Sequence, residues 1–150
     1  MPQGSASVVI NRAPDEVFAL IADVTRTGEW SPECHACRWV GGATGPAVGV
    51  KFEGDNSASI GPITAKRWTT TSEITACEPG KVFEFAAEGY TTWRYELEAN
   101  GTATKVTESY SYASEPGMQK FLYETVLRRP AAMTKGMQKT LERMKAALEA

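Results

Sequence analysis

Thr92-Trp93-Arg94-Tyr95-Glu96-Leu97-Glu98 is the stretch whose reading decides the fold. Trp93, Tyr95 and Leu97 alternate with charged and hydroxyl residues, and a strand sends successive side chains to opposite faces, so the apolar set points inward. Downstream, Asn100-Gly101-Thr102 tolerates the positive φ that a tight hairpin needs. The next strand carries Val106, Glu108, Tyr110 and Tyr112 on one parity and Lys105, Thr107, Ser109 and Ser111 on the other. Glu108 is drawn inward by its apolar neighbours.

The same texture extends outward from this hairpin. Between Ala36 and Ala113, short runs rich in threonine, valine and aromatic residues are separated by Gly41-Gly42, Gly45-Pro46, Pro79-Gly80, Gly89 and Asn100-Gly101, which predicts six strands. Glu78-Pro79-Gly80-Lys81 is a second clear hairpin turn, and an antiparallel meander is the simplest arrangement. Trp68, Thr70, Ser72 and Ile74 form a mixed inner face, Phe83 and Phe85 an apolar one, and Val50, Phe52 and Gly54 another.

Helical spacing appears on both sides of this region. Ser5–Ile10 reads as a short β segment, after which Pro14 with Asp15 and Glu16 marks a helix start. Val17, Leu20, Ile21 and Val24 recur at helical spacing, and the helix is expected to stop around Thr27-Gly28, with a turn at Trp30-Ser31-Pro32-Glu33. At the other end Met133, Met137, Leu141, Met144 and Leu148 make the stripe of the longest element. Pro130 lies within or just ahead of it, so residues from about Gln119 to Arg129 are expected to form a separate or kinked helical segment.

The 150 residues suit one domain with one sizeable core, and no repeat or linker divides them. Sixteen basic and 18 acidic residues leave a formal charge of -2 without a long like-charged run, so neither nucleic acid nor an anionic membrane surface is an expected partner. Met1–Ser7 has neither the basic segment nor the apolar stretch of a secretory signal, and no apolar run nears the ~18 residues of a spanning helix. The expectation is a cytoplasmic protein without membrane insertion. Three cysteines, Cys34, Cys37 and Cys77, are then read as thiols outside any disulfide framework.

An inner sheet face of tryptophan, tyrosine, threonine, serine and one glutamate packs against a helix in one of two ways. A buried hydroxyl or carboxyl without a partner costs about 1–3 kcal/mol or more, so a ligand or ordered water in a cavity would supply partners. Alternatively, the hydroxyls satisfy one another within a filled core.

The order of elements, together with Trp30-Ser31-Pro32-Glu33-Cys34, Trp39-Val40-Gly41-Gly42, Glu78-Pro79-Gly80, Trp93-Arg94-Tyr95 and Gly136-Met137 through Thr140-Leu141, resembles the SRPBCC (START-like) superfamily. More narrowly, it is similar to the polyketide cyclase/dehydrase-like branch. The resemblance covers almost the whole chain and implies one SRPBCC/START-like domain over residues 1–150. It implies an α+β helix-grip fold: a seven-stranded antiparallel sheet wrapped around a long C-terminal helix, with two short helices after strand 1 and a cavity between sheet and helix. Trp68, Thr70, Phe83, Phe85, Trp93 and Tyr95 would line the sheet side for a ligand, with Glu108 and Tyr110, and Met133, Met137 and Leu141 would line the helix side. For any one methionine, ordinary core packing is the competing reading.

Glu108 is the leading chemical candidate. Desolvation among Tyr95, Tyr110 and the tryptophans would disfavour its charged form and bring it into the range useful for proton transfer. The competing reading is a structural glutamate paired with Arg38 or a tyrosine hydroxyl. Cys34-His35-Ala36-Cys37 offers up to three ligands, with Cys77 a conceivable fourth, but a structural zinc site draws on a second clustered pair that the sequence lacks, so no metal is expected. This CxxC opens no helix after a parallel strand, which argues against a thioredoxin-like redox role. It is read as loop and strand near the pocket mouth, with His35 as a polar contact. No nucleotide, flavin or catalytic signature occurs, and no cofactor is expected.

Three functions follow from these expectations. The first is binding of a small hydrophobic or aromatic metabolite, polyketide-like or lipid-like, in the internal cavity. The second is a cyclase, aromatase or dehydratase in which Glu108 is the general acid/base and Tyr95, Tyr110 or His35 orients a carbonyl. The third is a co-chaperone-like or toxin-like interaction module, which requires a contiguous exposed apolar patch. The protein is expected to be a monomer or a homodimer paired through an edge strand.

Overall fold

A computed structural model describes the backbone at residues 3–31, 34–60, 63–89, 91–112 and 129–149. Side chains at positions 3, 58–60, 63–68, 112 and 129–133 lie outside that description. The elements run β1 (Gln3–Ile10), α1 (Pro14–Ala22), a 3-10 helix (Val24–Glu29), β2 (Cys34–Trp39), β3 (Lys51–Ile60), β4 (Ile63–Glu78), β5 (Val82–Ala87), β6 (Thr91–Asn100), β7 (Ala103–Tyr112) and the C-terminal helix (Arg129–Glu149). All seven strands join one sheet in the order β1-β7-β6-β5-β4-β3-β2, and every neighbouring pair is antiparallel. With the helix laid across it, this is the helix-grip α+β architecture.

The turns are where the local chemistry demands them. Gly80 and Gly101 take φ of 74° and 65° in the β4–β5 and β6–β7 hairpins, a region that only glycine enters without strain. In the first of these the Lys81 amide donates to the Glu78 carbonyl at 2.9 Å.

Pro14 opens α1 with Asp15 and Glu16 in its first turn, and Val17, Phe18, Leu20, Ile21 and Ala22 form its buried side. The α-helix ends at Ala22, earlier than the expected Thr27-Gly28. Asp23 is the reason: its side chain accepts from the Thr25 amide at 3.2 Å, capping a new start that continues as a 3-10 turn. Val24 stays buried through this change, so the helical stripe survives the switch of helix type.

Pro130 lies within the C-terminal helix, Arg129–Glu149. The expected helical segment before Arg129 and the turn residues Pro32 and Glu33 lie outside the described residues. Met137, Leu141 and Met144 are buried and Leu148 is half-buried, while the Thr140 hydroxyl returns to the Gly136 carbonyl at 2.8 Å. Three polar contacts pin the end of the helix. Lys145 Nζ donates to the Val9 carbonyl at 2.8 Å, the Asn11 amide donates to Glu149 Oε2 at 2.8 Å, and Arg143 Nη1 donates to the Trp30 carbonyl at 3.2 Å.

The main core joins Ile10, the inner sides of α1 and the 3-10 helix, Phe52, Ile74, Phe83, Leu97, Val106, Leu141 and Met144. Trp30 is buried within it, with the Arg26 guanidinium 5.0 Å above the ring centroid. Among the described residues no helix is long and apolar enough to cross a membrane.

Gly28 shows how closely the 3-10 helix abuts β2. A Cβ there would lie 2.0 Å from the His35 carbonyl oxygen, a backbone atom that cannot swing aside. Gly28→Ala is therefore expected to lower stability by about 1–3 kcal/mol or more in urea unfolding. Gly45, with nothing within 4 Å of the equivalent atom, is the control, and Gly45→Ala should change little.

Candidate functional site

Register builds the site from two strand pairs. In β6–β7, Tyr95 stands opposite Glu108 and Trp93 opposite Tyr110, while in β1–β7 Ala6 stands opposite Glu108 and Gly4 opposite Tyr110. The small residues of β1 make room for their large partners. A Cβ at Gly4 would lie 2.8 Å from Tyr110 Cε1 and 2.9 Å from Thr134 Oγ1, so only glycine allows strand and helix to close on the tyrosine. Trp93 and Tyr110 pack as tilted rings 5.7 Å apart, and Met137 closes over Tyr110 from the helix.

Glu108 sits in the middle of this wall with 5% of its surface exposed. The Tyr95 hydroxyl is near enough to act on the ionisation of its carboxyl group, and Oε1 has no hydrogen-bond partner among the described residues. Burial raises the carboxyl pKa from 4.5 to about 8, against which the Tyr95 hydroxyl pulls only partly back. At neutral pH the group is mainly the neutral acid. The Tyr95 phenol is pushed well above its ordinary range, first by its own burial and then by the charge that Glu108 would carry. The Cys34 and Cys37 thiols add to that push, which marks them as neighbours of the same interior.

The other expected residues divide into groups. Phe83 is fully buried against Phe18 with centroids 6.3 Å apart, and half-buried Phe85 contacts Phe52 at 5.1 Å, so both join the main core. Met137 is buried beside Tyr110, and Leu141 belongs to the main core. Thr70 is half-buried and accepts from Asn56 Nδ2 at 3.1 Å. The side chains of Trp68 and Met133, and that of Tyr112, lie outside the described residues.

His35 does not join Glu108. It is exposed and hydrogen-bonded to the Ser57 hydroxyl, on the parity of β3 shared with Glu53 and Asp55 and turned away from Phe52 and Gly54. The expectation that it orients a carbonyl beside Glu108 is thereby corrected: a bulge in β2 turns its ring to the outer face. Arg38 is on that face too, held by Asp55 at 3.0 Å and Glu53 at 3.2 Å, and so is not the partner of Glu108.

Three features escaped the sequence reading. Asn56 continues the inward parity of Phe52 and Gly54 and was legible there, as was the run of small residues Gly4 and Ala6 opposite large ones once β1 is paired with β7. The inward turn of both Cys34 and Cys37 depends on the bulge and had no signal in the spacing. Among the described residues no group of three or more histidine, cysteine or acidic side chains is placed to hold a metal ion.

The family described as "Polyketide cyclase / dehydrase and lipid transport" matches residues 1–149. A search of curated proteins gives no sequence match. Among solved structures, the Polyketide_cyc-like protein Cgl2372 from Corynebacterium glutamicum, determined by NMR, is 33% identical over 99% of this chain and 94% of its own, with a TM-score of 0.66. The KanY protein, also an NMR structure, is 16% identical over 99% of this chain and 97% of its own, with a TM-score of 0.77. The protein TTHA0849 from Thermus thermophilus is 14% identical over 99% of this chain and 97% of its own, with a TM-score of 0.69. The last two show likeness of fold alone.

The raised carboxyl has a thermodynamic signature. Between pH 4.5 and about 8 the folded chain keeps a proton on Glu108 that the unfolded chain releases, so unfolding becomes easier as pH rises through that window. The stabilising preference is complete below the unfolded value and lost above the folded one, a difference on the order of a few kcal/mol. Thermal midpoints of the wild type should therefore fall relative to those of Glu108→Gln as pH is raised from about 5 to about 9. Parallel curves for the two proteins would show that Glu108 is not held neutral by the fold.

Proposed function

The chain belongs to the polyketide cyclase / dehydrase and lipid transport family, and on that footing we propose that it binds a small hydrophobic or aromatic metabolite, polyketide-like or lipid-like, in a cavity between the sheet and the C-terminal helix of one START-like domain. The observation that carries this reading is Glu108: a buried carboxyl, neutral at physiological pH, whose Oε1 has no partner among the described residues. An unpaired buried oxygen costs free energy, and a ligand carbonyl or hydroxyl reaching it removes that cost. Trp93, Tyr95, Tyr110 and Met137 supply the surrounding apolar surface, with aromatic faces for flat rings and a flexible thioether for irregular ones.

A second reading is favoured by the carboxyl's ionisation near pH 8. An acid poised there exists in both forms at working pH. As carboxylate it accepts a proton from a carbon beside a ketone, and as carboxylic acid it returns that proton to the oxygen formed when the enolate attacks a second carbonyl. That sequence is an aldol-type cyclisation; in a dehydration the same carboxyl takes the proton from carbon and gives one to the departing hydroxyl, which leaves as water.

Native mass spectrometry of the purified protein, with solvent extraction and mass analysis of what is released, tests the binding reading. A stoichiometric hydrophobic molecule is the expected result, and a chain that is bare and takes up no aromatic or lipid probe overturns it. Glu108→Gln keeps a neutral donor and acceptor and should hold the ligand within a few-fold of wild type. Glu108→Leu removes both and should weaken binding by roughly tenfold. If the protein is an enzyme, Glu108→Gln abolishes turnover while binding persists.

A further inference from the structure

Cys34 and Cys37 are three residues apart on a strand, and in regular β structure that odd spacing would send them to opposite faces. The register shows why it does not. Cys34 pairs with Asn56, yet Ala36 already pairs with Asp55 and Cys37 with Gly54, so two residues of β2 stand against one of β3. This bulge inserts the extra residue that brings both thiols to the inner parity of β3, shared by Phe52, Gly54 and Asn56. Their Sγ atoms are 3.0 Å apart.

The space for them is made by Gly54. A Cβ there would lie 3.1 Å from Cys37 Sγ and 3.3 Å from Cys34 Sγ, so the strand opposite gives up its side chain where the two sulfurs meet. From this geometry we propose that Cys34 and Cys37 are a reversible dithiol/disulfide site whose co-substrate is a low-molecular-weight disulfide of the glutathione type. The sulfurs need to approach by only about 1 Å to reach a bond of roughly 2.05 Å. Both residues are half-buried at an edge strand of the sheet, which leaves them within reach of a small peptide disulfide.

The roles of the two thiols differ. The Cys34 contact, then a hydrogen bond from Thr27 and the charge of Arg38, hold the Cys37 thiol below its ordinary 9.0 in spite of burial. Cys37 is therefore the attacking group. Its thiolate displaces one glutathione thiolate from the disulfide, leaving glutathione bonded to Cys37. Cys34 then gives up its proton and attacks the Cys37 sulfur, forming the Cys34–Cys37 bond and releasing the second glutathione. Two protein thiols are oxidised and one glutathione disulfide is reduced to two thiols. Cys77 lies on β4, where burial raises its thiol.

The full chain, incubated in buffers of increasing oxidised-to-reduced glutathione ratio, quenched in acid and then alkylated after denaturation, tests this inference independently of any ligand. Tryptic cleavage after Arg26 and Arg38 leaves both thiols on one peptide, Thr27–Arg38. That peptide should lose two labels together and two hydrogens in mass, at least about tenfold faster than Cys77 loses its label. Cys34→Ser should stop at a glutathione adduct on Cys37, and Cys37→Ser should slow the reaction to the rate of Cys77. A stable glutathione adduct on the wild-type peptide, a bond to Cys77, a linked dimer, or three thiols reacting at equal rates would each overturn it.

Discussion

The register between β6 and β7 governs everything placed on the inner wall. One end of this ladder is apolar: Leu97 faces Val106, and both pack against Ile10, Leu141 and Met144. Slipping the pairing by one residue would throw that whole set into solvent, so the apolar end holds the register for the polar end. Tyr95 opposite Glu108, and Trp93 opposite Tyr110, are positions inherited from that lock. The burial of Leu97 and Val106 thereby offsets the cost of keeping a carboxyl out of water two residues further along β7.

Glu108 also marks the boundary between two kinds of packing. On the Val106 side the core is filled by aliphatic residues and by phenylalanine rings in edge contact, Phe18 on Phe83 and Phe52 on Phe85. On the Tyr110 side the neighbours are Trp93, Met137 and the short side chains of β1. A carboxyl placed at such a seam meets too few dipoles to stay ionised. Its neutral form is a consequence of where β7 changes neighbours.

Much of this arrangement was legible in the sequence because strand parity is a local property. Trp93, Tyr95 and Leu97 named the inner face of β6, and Val106 and Tyr110 carried Glu108 with them. The hairpins were legible because only glycine suits Gly80 and Gly101. What failed depended on one-residue events with weak composition signals. Asp23 restarts the first helix as a 3-10 turn, and the β2 bulge rotates His35 outward and both cysteines inward. The part played by Gly4 required knowing which distant strand lies beside it, information that periodicity does not contain. Family resemblance supplied the architecture and left these details open.

The meander pairs each strand with its neighbour in the chain except at one seam, where β1 lies against β7. Every other ladder joins strands separated by at most eleven residues of chain, whereas this one joins Ala6 to Glu108 and Gly4 to Tyr110. Loop-closure entropy makes such a pairing slow to form, because residues about a hundred positions apart must meet before the ladder is rewarded. The backing behind the buried carboxyl therefore rests on the strand pairing of longest sequence separation in the sheet.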